Sequence, residues 1–296
     1  MSETHSLATR SPRWLRAAGV SVALAGFSAM AIGAPIVAAA AAPVRTADRY
    51  GVVGSAGQVA DHAGDAKTAA AAEVVPVYAH RGGVSDLVEN TRENFRRAAG
   101  LGSLFWEADV RFSSTNYPVL LHDADLRRFG CPDVKVAAVS VPKARECAAA
   151  NGQTLTTLYE FVEDLTSRSA VAMVELKTVP TAAQWTLLES RLSPVRDRVV
   201  IESFESAARV AASARGYQTA ALTKTVLTST RLPEGSDWYA PEWRTLTESQ
   251  VQAMHDIGVK VVVWTPDCSD WGEVPTGVDA LISNDLPAEC QPAIKQ

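Results

Sequence analysis

The sequence has few cysteines, no excess of positive charge and no internal repeat. Its 296 residues include only four cysteines, and no two of them have the Cys-x-x-Cys spacing of a structural zinc site. The formal net charge is -5 at pH 7, which argues against a general nucleic-acid-binding protein. The hydrophobic share of 47% and the charged share of 21% are instead ordinary for a soluble globular domain.

The amino-terminal part of the chain lacks charge over a long stretch. Three arginines precede an uncharged segment, residues 17–44, that is rich in Ala, Val, Leu and Met. This order is typical of an export signal, which we place at residues 1–42, so we expect a secreted, extracellular protein. An uncleaved membrane anchor is the alternative, because the segment is long enough to span a bilayer. No cysteine precedes Cys131 and the leader has no adjacent arginine pair, which excludes a lipoprotein anchor here and a twin-arginine signal.

The chain after the leader divides into a linker and one domain. Residues 43–73 are rich in Ala, Gly and polar residues without a sustained apolar period, which predicts a flexible linker. The remainder, residues 74–296, has the length of a single domain.

The even number of cysteines predicts disulfides if the protein is exported. Four cysteines allow three pairings. We favour Cys131–Cys147 and Cys268–Cys290, because each pair closes a local loop. Four unpaired buried thiols are the alternative.

The domain begins with a predicted strand that ends in a histidine. The apolar run 74–79 indicates a buried strand, and His80 follows it directly, before glycines that force a turn. The next helix is predicted to begin near Glu89 or Asn90 and to end at Gly100.

A second predicted strand, residues 104–112, carries two acidic residues. Glu107 and Asp109 are two positions apart, so they lie on one face of the strand. A buried strand does not normally hold two acids without a cation to neutralise them. After a turn, residues 119–121 return as a short strand that leads to His122.

A third charged strand end follows a helix with a predicted capping box. The run 171–177 indicates a buried strand, and Glu175 and Lys177 share one face at its carboxyl end.

These motifs, taken together, resemble the glycerophosphodiester phosphodiesterases, a family of metal-dependent TIM-barrel enzymes. The resemblance runs from about Val74 to the carboxyl terminus, and the ordered set is far more specific than any one motif. The matching motifs are His80-Arg81-Gly82, Glu89-Asn90-Thr91, Glu107-Ala108-Asp109, His122-Asp123 and Glu175-Leu176-Lys177.

The resemblance implies an α/β fold, a (β/α)8 TIM barrel with a short hairpin after the second strand. The sequence pattern agrees, because eight strands are counted when the Glu107 strand and its hairpin form one unit. The predicted strands are 74–79, 104–112, 171–177, 199–204, 219–222, 238–241, 260–265 and 278–283.

The resemblance also implies a divalent cation held by Glu107, Asp109 and Glu175. Carboxylate oxygens suit a hard cation, Mg2+ or Ca2+. The alternative for any one of these acids is an ion pair with Arg81, Arg111 or Lys177.

His80 and His122 are the acid–base pair that the resemblance implies. Histidine titrates near neutral pH and can take a proton from a nucleophile or give one to a leaving group. The sequence does not say which histidine is the acid and which is the base.

Five further residues have implied roles in binding the substrate. Arg81 and Lys177 would hold phosphate oxygens, although Lys177 could instead be a counter-ion of Glu175. Glu89 and Asn90 would line the glycerol side or brace the loop, with helix capping by Asn90 as the alternative. Trp264 would form a wall of the pocket, with a place in the core as the alternative.

The expected reaction converts a glycerophosphodiester and water into sn-glycerol 3-phosphate and an alcohol. The expected partner is this small molecule, with no nucleic acid and no stable membrane insertion after signal cleavage. One alternative is a sphingomyelinase D-like phospholipase on the same barrel. Others are a non-catalytic secreted barrel that binds a glycerophosphoryl group, and a glycoside hydrolase using Glu175 and Glu202.

Overall fold

A computed structural model of the chain describes residues 75–83 and 86–290. The predicted export signal, residues 1–42, and the predicted linker, residues 43–73, lie outside the described residues. Among the helices in the described part, none is long and apolar enough to cross a membrane.

Eight parallel strands form a closed barrel, and a ninth strand pairs with it as a hairpin. The barrel closes because β1 pairs with both β2 and β9, while β3 runs antiparallel to β2. The predicted barrel and its hairpin after the second strand are therefore confirmed. The strands are β1 Val77–Ala79, β2 Phe105–Phe112, β3 Pro118–Leu120, β4 Val171–Leu176, β5 Val199–Ser203, β6 Gln218–Thr223, β7 Trp238–Pro241, β8 Lys260–Trp264 and β9 Ala280–Ser283.

Helices in the described chain pack around the outside of this barrel. Their apolar faces and the outward faces of the strands form two large buried clusters. The chain between β6 and β7 and between β8 and β9 forms loops rather than α-helices. The α-helices are α1 Arg92–Gly100, α2 Val141–Ala150, α3 Leu158–Ser167, α4 Ala182–Leu192, α5 Ser206–Ser213 and α6 Glu248–His255.

Helix α1 begins later than the sequence predicted. Asn90 has a left-handed backbone with φ of 60°, so it cannot belong to the helix. Thr91 is the N-cap residue, and its side chain accepts a hydrogen bond from the backbone N–H of Asn94. Helix capping by Asn90 was therefore the wrong alternative, and the Asn90 side chain is used elsewhere.

Inside the barrel, the inward-facing side chains change from apolar to polar towards the carboxyl ends of the strands. On β2, Phe105 is followed by Glu107 and then Asp109, two positions apart each time. The same change occurs from Met173 to Glu175 on β4. The lower layers fill the barrel with apolar side chains, and the upper layer places charge at the end where the loops begin.

Both predicted disulfides are present. Cys131–Cys147 has a Cα–Cα distance of 5.9 Å and ties the loop after β3 to α2. Cys268–Cys290 has a Cα–Cα distance of 5.6 Å and ties the loop after β8 to the segment after β9. The alternative of four unpaired thiols is wrong. Asp285 lies beside the second pair, but the bonded sulfurs offer no thiolate for a metal.

Candidate active site

A pocket of about 470 Å³ opens at the carboxyl ends of the barrel strands. Seven of the ten predicted site residues line it, although they are spread over 185 positions of the sequence. Those residues are His80, Arg81, Glu107, His122, Glu175, Lys177 and Trp264. Asp109, Asn90 and Glu89 lie directly behind this lining, in contact with it.

The three acids predicted to bind a cation come together in the pocket wall. Glu107 and Asp109 are on β2, and Asp109 is paired in register with Glu175 on β4. All three side chains are buried, and one carboxylate oxygen of each lies within 4.8 Å of the others. This is the span that one ion with metal–oxygen bonds of about 2.4 Å can bridge.

Two basic side chains already contact these acids. Lys177 Nζ lies 2.5 Å from Glu175 Oε2 and 2.8 Å from Asp109 Oδ1. Arg81 Nε lies 3.0 Å from Asp109 Oδ2. The contact of Lys177 with Glu175, which was the alternative to phosphate binding, is therefore present. The three acids nevertheless form the cluster expected of a cation site.

A fourth buried acid, Glu202, extends the cluster along β5. It is paired in register with Glu175, and its Oε2 is buried without a hydrogen-bond partner in the described part of the chain. Burial, with Asp109 and Glu202 nearby, raises the pKa of Glu107 well above its usual value, and burial beside Glu175 does the same for Glu202.

The balance of charge in this wall fits a divalent cation. Four carboxylates meet two cationic side chains, Arg81 and Lys177, and Arg81 is shared with Glu89, so the acids outnumber the cations in contact with them. Burial alone would raise the pKa of Asp109, but Lys177 and Arg81 lower it well below its usual range. An all-oxygen donor set of this kind suits Mg2+ or Ca2+ rather than a soft metal.

His80 stands where β1 ends and the chain turns sharply. Gly82 is required in this turn, because its φ is +94° and a Cβ there would lie 3.0 Å from the Asn94 side chain. The His80 Nδ1 lies 2.7 Å from Asn284 Oδ1, and its Nε2 lies 4.0 Å from Glu107 Oε2. Burial, and then the neighbouring Arg81 charge, lower the pKa of His80 to about 4.

His122 faces the same pocket from the end of the β2–β3 hairpin. Its Nδ1 lies 2.9 Å from Asp123 Oδ1, and its backbone oxygen accepts a hydrogen bond from Arg111 Nε at 2.8 Å. Burial lowers the pKa of His122, and the nearby charge of Asp109 opposes that shift. Arg111 thus holds the hairpin end, and no ion pair between it and the acids occurs among the described residues.

The Glu-Asn-Thr motif braces the acids from behind. Asn90 Nδ2 donates to Asp109 Oδ2 at 2.7 Å, and Asn90 Oδ1 accepts from the Asp109 backbone N–H at 3.1 Å. Glu89 accepts two hydrogen bonds from Arg81 and lies 3.3 Å from Arg128. These contacts are those of a bracing role, and the predicted role in lining the glycerol side stays a prediction.

Two aromatic rings form part of the pocket wall. Trp264 is half-buried, its Nε1 donates to the backbone oxygen of Ala240, and its ring meets that of Phe204 edge-on at 5.7 Å. Phe204 is 40% exposed and lines the pocket beside Lys224. Trp264 thus lies in the predicted wall.

Sequence reasoning missed two residues of this site. Glu202 was considered only as a glycosidase acid, although its place at the end of a predicted strand was a usable signal. Asn284 was not among the predicted site residues, because nothing in the local sequence shows that His80, 204 positions away, lies beside it.

Fold and site together define a (β/α)8 barrel with a buried acidic cluster and two histidines at the carboxyl ends of its strands. The model of the glycerophosphoryl diester phosphodiesterase family matches residues 80–287. The chain therefore belongs to the glycerophosphoryl diester phosphodiesterase family.

Individual relatives agree with this assignment. The chain is 25% identical over 230 residues to a glycerophosphodiester phosphodiesterase of Caldanaerobacter subterraneus subsp. tengcongensis, covering 71% of this chain and 93% of that protein. A segment of 54 residues is 43% identical to human glycerophosphodiester phosphodiesterase 1, covering 18% of this chain and 16% of that protein.

Solved structures show the same fold. An Oleispira antarctica phosphodiesterase, determined in complex with the product sn-glycerol-3-phosphate, has a TM-score of 0.61 and 21% identity, covering 71% of this chain and 93% of that one. The Thermotoga maritima glycerophosphodiester phosphodiesterase has a TM-score of 0.57 and 24% identity, covering 71% and 94%.

The family assignment confirms that the chain is an enzyme of the phosphoric diester hydrolase class. The comparisons give no support to the non-catalytic, sphingomyelinase D-like and glycoside hydrolase alternatives.

Proposed function

We propose that this protein hydrolyses glycerophosphodiesters to sn-glycerol 3-phosphate and an alcohol, with a divalent cation and two histidines. One observation carries the proposal. Three buried carboxylates meet within 4.8 Å in a pocket that also holds the rings of His80 and His122. A divalent cation, Mg2+ or Ca2+, held by Glu107, Asp109 and Glu175 would neutralise charge that develops on the phosphoryl oxygens.

The two imidazoles would move the protons of the reaction. Each has its Nδ1 against a side-chain oxygen, so each can offer Nε2 to the substrate. In the first step, one Nε2 takes the proton of the glycerol hydroxyl next to the phosphoryl group, and that oxygen attacks phosphorus. The bond from phosphorus to the headgroup oxygen breaks, and the other imidazolium gives its proton to the leaving alkoxide.

The second step reverses the proton transfers. The imidazole that gave its proton takes one from water, and the water oxygen attacks the phosphorus of the cyclic phosphate. The P–O bond to the glycerol hydroxyl breaks, and the first histidine returns its proton to that oxygen. The product is sn-glycerol 3-phosphate. Arg81 and Lys177 would hold the phosphate oxygens, because both end in the pocket beside the acids.

We also propose that the enzyme is exported and that its mature chain carries one catalytic domain, residues 74–296, after the linker 43–73. The two disulfides support export, because such bonds persist mainly in oxidising compartments. The acidic net charge agrees with a small-molecule substrate rather than a nucleic acid.

The test is glycerol 3-phosphate release by the purified full chain from a panel of glycerophosphodiesters. We expect His80→Ala and His122→Ala each to lower kcat by about 10²–10⁴-fold, because each removes a proton-transfer group. His255→Ala is the matched control and should keep full activity, since His255 lies on α6 and pairs with Asp279. Headgroup release from intact phospholipids, with none from the panel, would contradict the proposal and support the phospholipase alternative.

A further inference from the structure

Asn284 follows β9 and connects His80 to a loop that takes no part in the proposed reaction. Asn284 Oδ1 lies 2.7 Å from His80 Nδ1, and Asn284 Nδ2 donates to Asp267 Oδ1 at 3.1 Å. A carboxylate oxygen accepts hydrogen bonds and does not donate them, so the Asn284 atom that faces Asp267 is the amide nitrogen. The amide oxygen must then face the imidazole.

This orientation determines which nitrogen of His80 carries the proton. An amide oxygen accepts, so His80 Nδ1 must be the donor. A neutral imidazole has one donor and one acceptor nitrogen, and its acceptor is therefore Nε2, which lies on the side of Glu107 and the pocket. An amide turned by 180° would present its N–H groups to Nδ1. That arrangement would move the proton to Nε2 and remove the lone pair from the pocket.

We propose that Asn284 is a positioning residue for His80, and that Asp267 fixes the amide of Asn284 in the orientation that leaves His80 Nε2 free to accept a proton. The inference rests on the proposed function, because that function requires a His80 whose Nε2 can accept a proton. Asn284 would be the residue that fixes this tautomer.

The backbone around Asp267 and Asn284 is held so that this contact persists. The disulfide Cys268–Cys290 joins the residue after Asp267 to the segment after Asn284. The Cys268 backbone N–H also donates to Asp285 Oδ2 at 2.7 Å. The disulfide and this hydrogen bond therefore hold the two segments together beside the contact between Asp267 and Asn284. That contact joins the loop after β8 to the end of β9.

The first experiment reads the tautomer directly. Long-range ¹H–¹⁵N NMR of the histidine rings in the full-length protein distinguishes Nδ1–H from Nε2–H, and a His80→Gln spectrum identifies the His80 signals among the five histidines. We expect His80 to be protonated at Nδ1 in the wild type. Protonation at Nε2 in the wild type would overturn the proposal.

The second experiment measures kcat and KM in variants of the two residues. Asn284→Ala should lower kcat by about 10–100-fold, the usual effect of losing a partner behind a catalytic group, and should mix the His80 tautomers. Asp267→Ala should lower kcat by about 3–10-fold, as one hydrogen bond is lost, with KM within about twofold. Asp267→Asn should restore kcat, because its side-chain oxygen still accepts from Asn284.

The control is Asn151→Ala, an exposed asparagine that donates to the Cys147 backbone oxygen beside the other disulfide. It should leave both kcat and the His80 tautomer unchanged. If Asn284→Ala does not fold, the pair Asp267→Ala and Asp267→Asn decides. Equal kcat and an unchanged tautomer in Asp267→Ala would overturn the proposal. If the wild-type protein has His80 protonated at Nδ1 but does not hydrolyse glycerophosphodiesters, the proposed function is contradicted. The proposal that Asn284 fixes the His80 tautomer would still be supported.

Discussion

Asn90 shows how one buried side chain fixes a predicted cation ligand. It binds the carboxylate of Asp109 and the backbone N–H of Asp109 at once, from a left-handed backbone that asparagine tolerates better than most residues. No water reaches this contact, since both residues are at most 1% exposed. The position of Asp109 therefore depends on a residue that never enters the pocket.

Replacing Asn90 should destabilise the fold more than its position in a loop suggests. Asn90→Ala removes one hydrogen bond to the buried Asp109 carboxylate, removes the acceptor of the Asp109 backbone N–H, and places alanine at positive φ. Together these changes should cost about 2–4 kcal/mol of unfolding free energy in urea titrations. Asn116→Ala is the matched control, because Asn116 has a φ of 62° in the half-exposed hairpin turn. It should lose only about 1–2 kcal/mol, from the backbone strain. Equal losses in the two variants would show that the contact with Asp109 contributes nothing.

Glu107 should make the stability of the cation-free protein depend on pH. Its pKa is raised well above 4.5 in the folded state, so the folded state holds this proton more tightly than the unfolded state. The stabilisation is complete below pH 4.5 and is lost as pH rises through the raised pKa. In chelator, we expect this one group to reduce the unfolding free energy by up to about 1.4 kcal/mol per pH unit above pH ~5.

The comparison with Glu107→Gln isolates this effect from other titrating groups. The variant should show a flatter fall of unfolding free energy with rising pH, because the amide has no proton to lose. Glu146→Gln, on the exposed side of α2, should follow the wild type. If Glu107→Gln keeps the wild-type slope, then Glu107 is not the buried acid that titrates.

At the scale of elements, capping motifs determine where several helices of the outer layer begin. Thr157 and Glu160 form a reciprocal capping box at the start of α3, as the sequence predicted. The same arrangement begins α6 with Thr247 and Gln250. Such signals are local, so the sequence alone predicts them well.

The cap of α3 offers a direct test at this scale. Thr157→Ala should lower the unfolding free energy by about 1 kcal/mol, because the backbone N–H of Glu160 loses its side-chain acceptor. Thr186→Ala, inside the exposed face of α4, should change stability by less than about 0.5 kcal/mol. Thermal unfolding that gives the same loss for both variants would contradict the role of the cap.

The start of α1 and the neighbours of His80 show where local signals fail. Glu89 and Asn90 are compatible with a helix start, but the hydrogen bonds of Asn90 with Asp109 on another element decide its backbone. The contact between Asn284 and His80 depends on closure of the barrel. The first strand, β1, pairs with the last strand, β9, and this pairing brings the two residues together. Motifs therefore predicted most of the residues that line the pocket, but not Asn284, which contacts His80 from outside the motifs.

At the scale of the whole molecule, the barrel brings together strand ends that are far apart in sequence. The charged layer draws on β1, β2, β4 and β5, and the apolar layers below it fill the barrel. Parallel strands all end at one face, so charged residues near the carboxyl ends of these four strands are enough to build one pocket.

The proposed export gives a prediction for the intact chain. When the full gene is expressed in a bacterium with a functional export pathway, we expect the extracellular protein to lack about the first 42 residues. Intact-mass spectrometry before and after reduction measures both the new amino terminus and the two disulfides. A protein that stays in the cell with residues 1–42 attached would contradict the proposal.

The central claim, cation-dependent diester hydrolysis at this pocket, is tested by removing and restoring the metal. Glycerol 3-phosphate release by the full chain would be followed after chelation and during titration with Mg2+ or Ca2+, for the wild type and for Glu107→Gln. We expect chelation to stop release, metal to restore it, and the variant to need at least about tenfold more metal. Release that continues unchanged in chelator, or an equal metal requirement in the two proteins, would contradict the account.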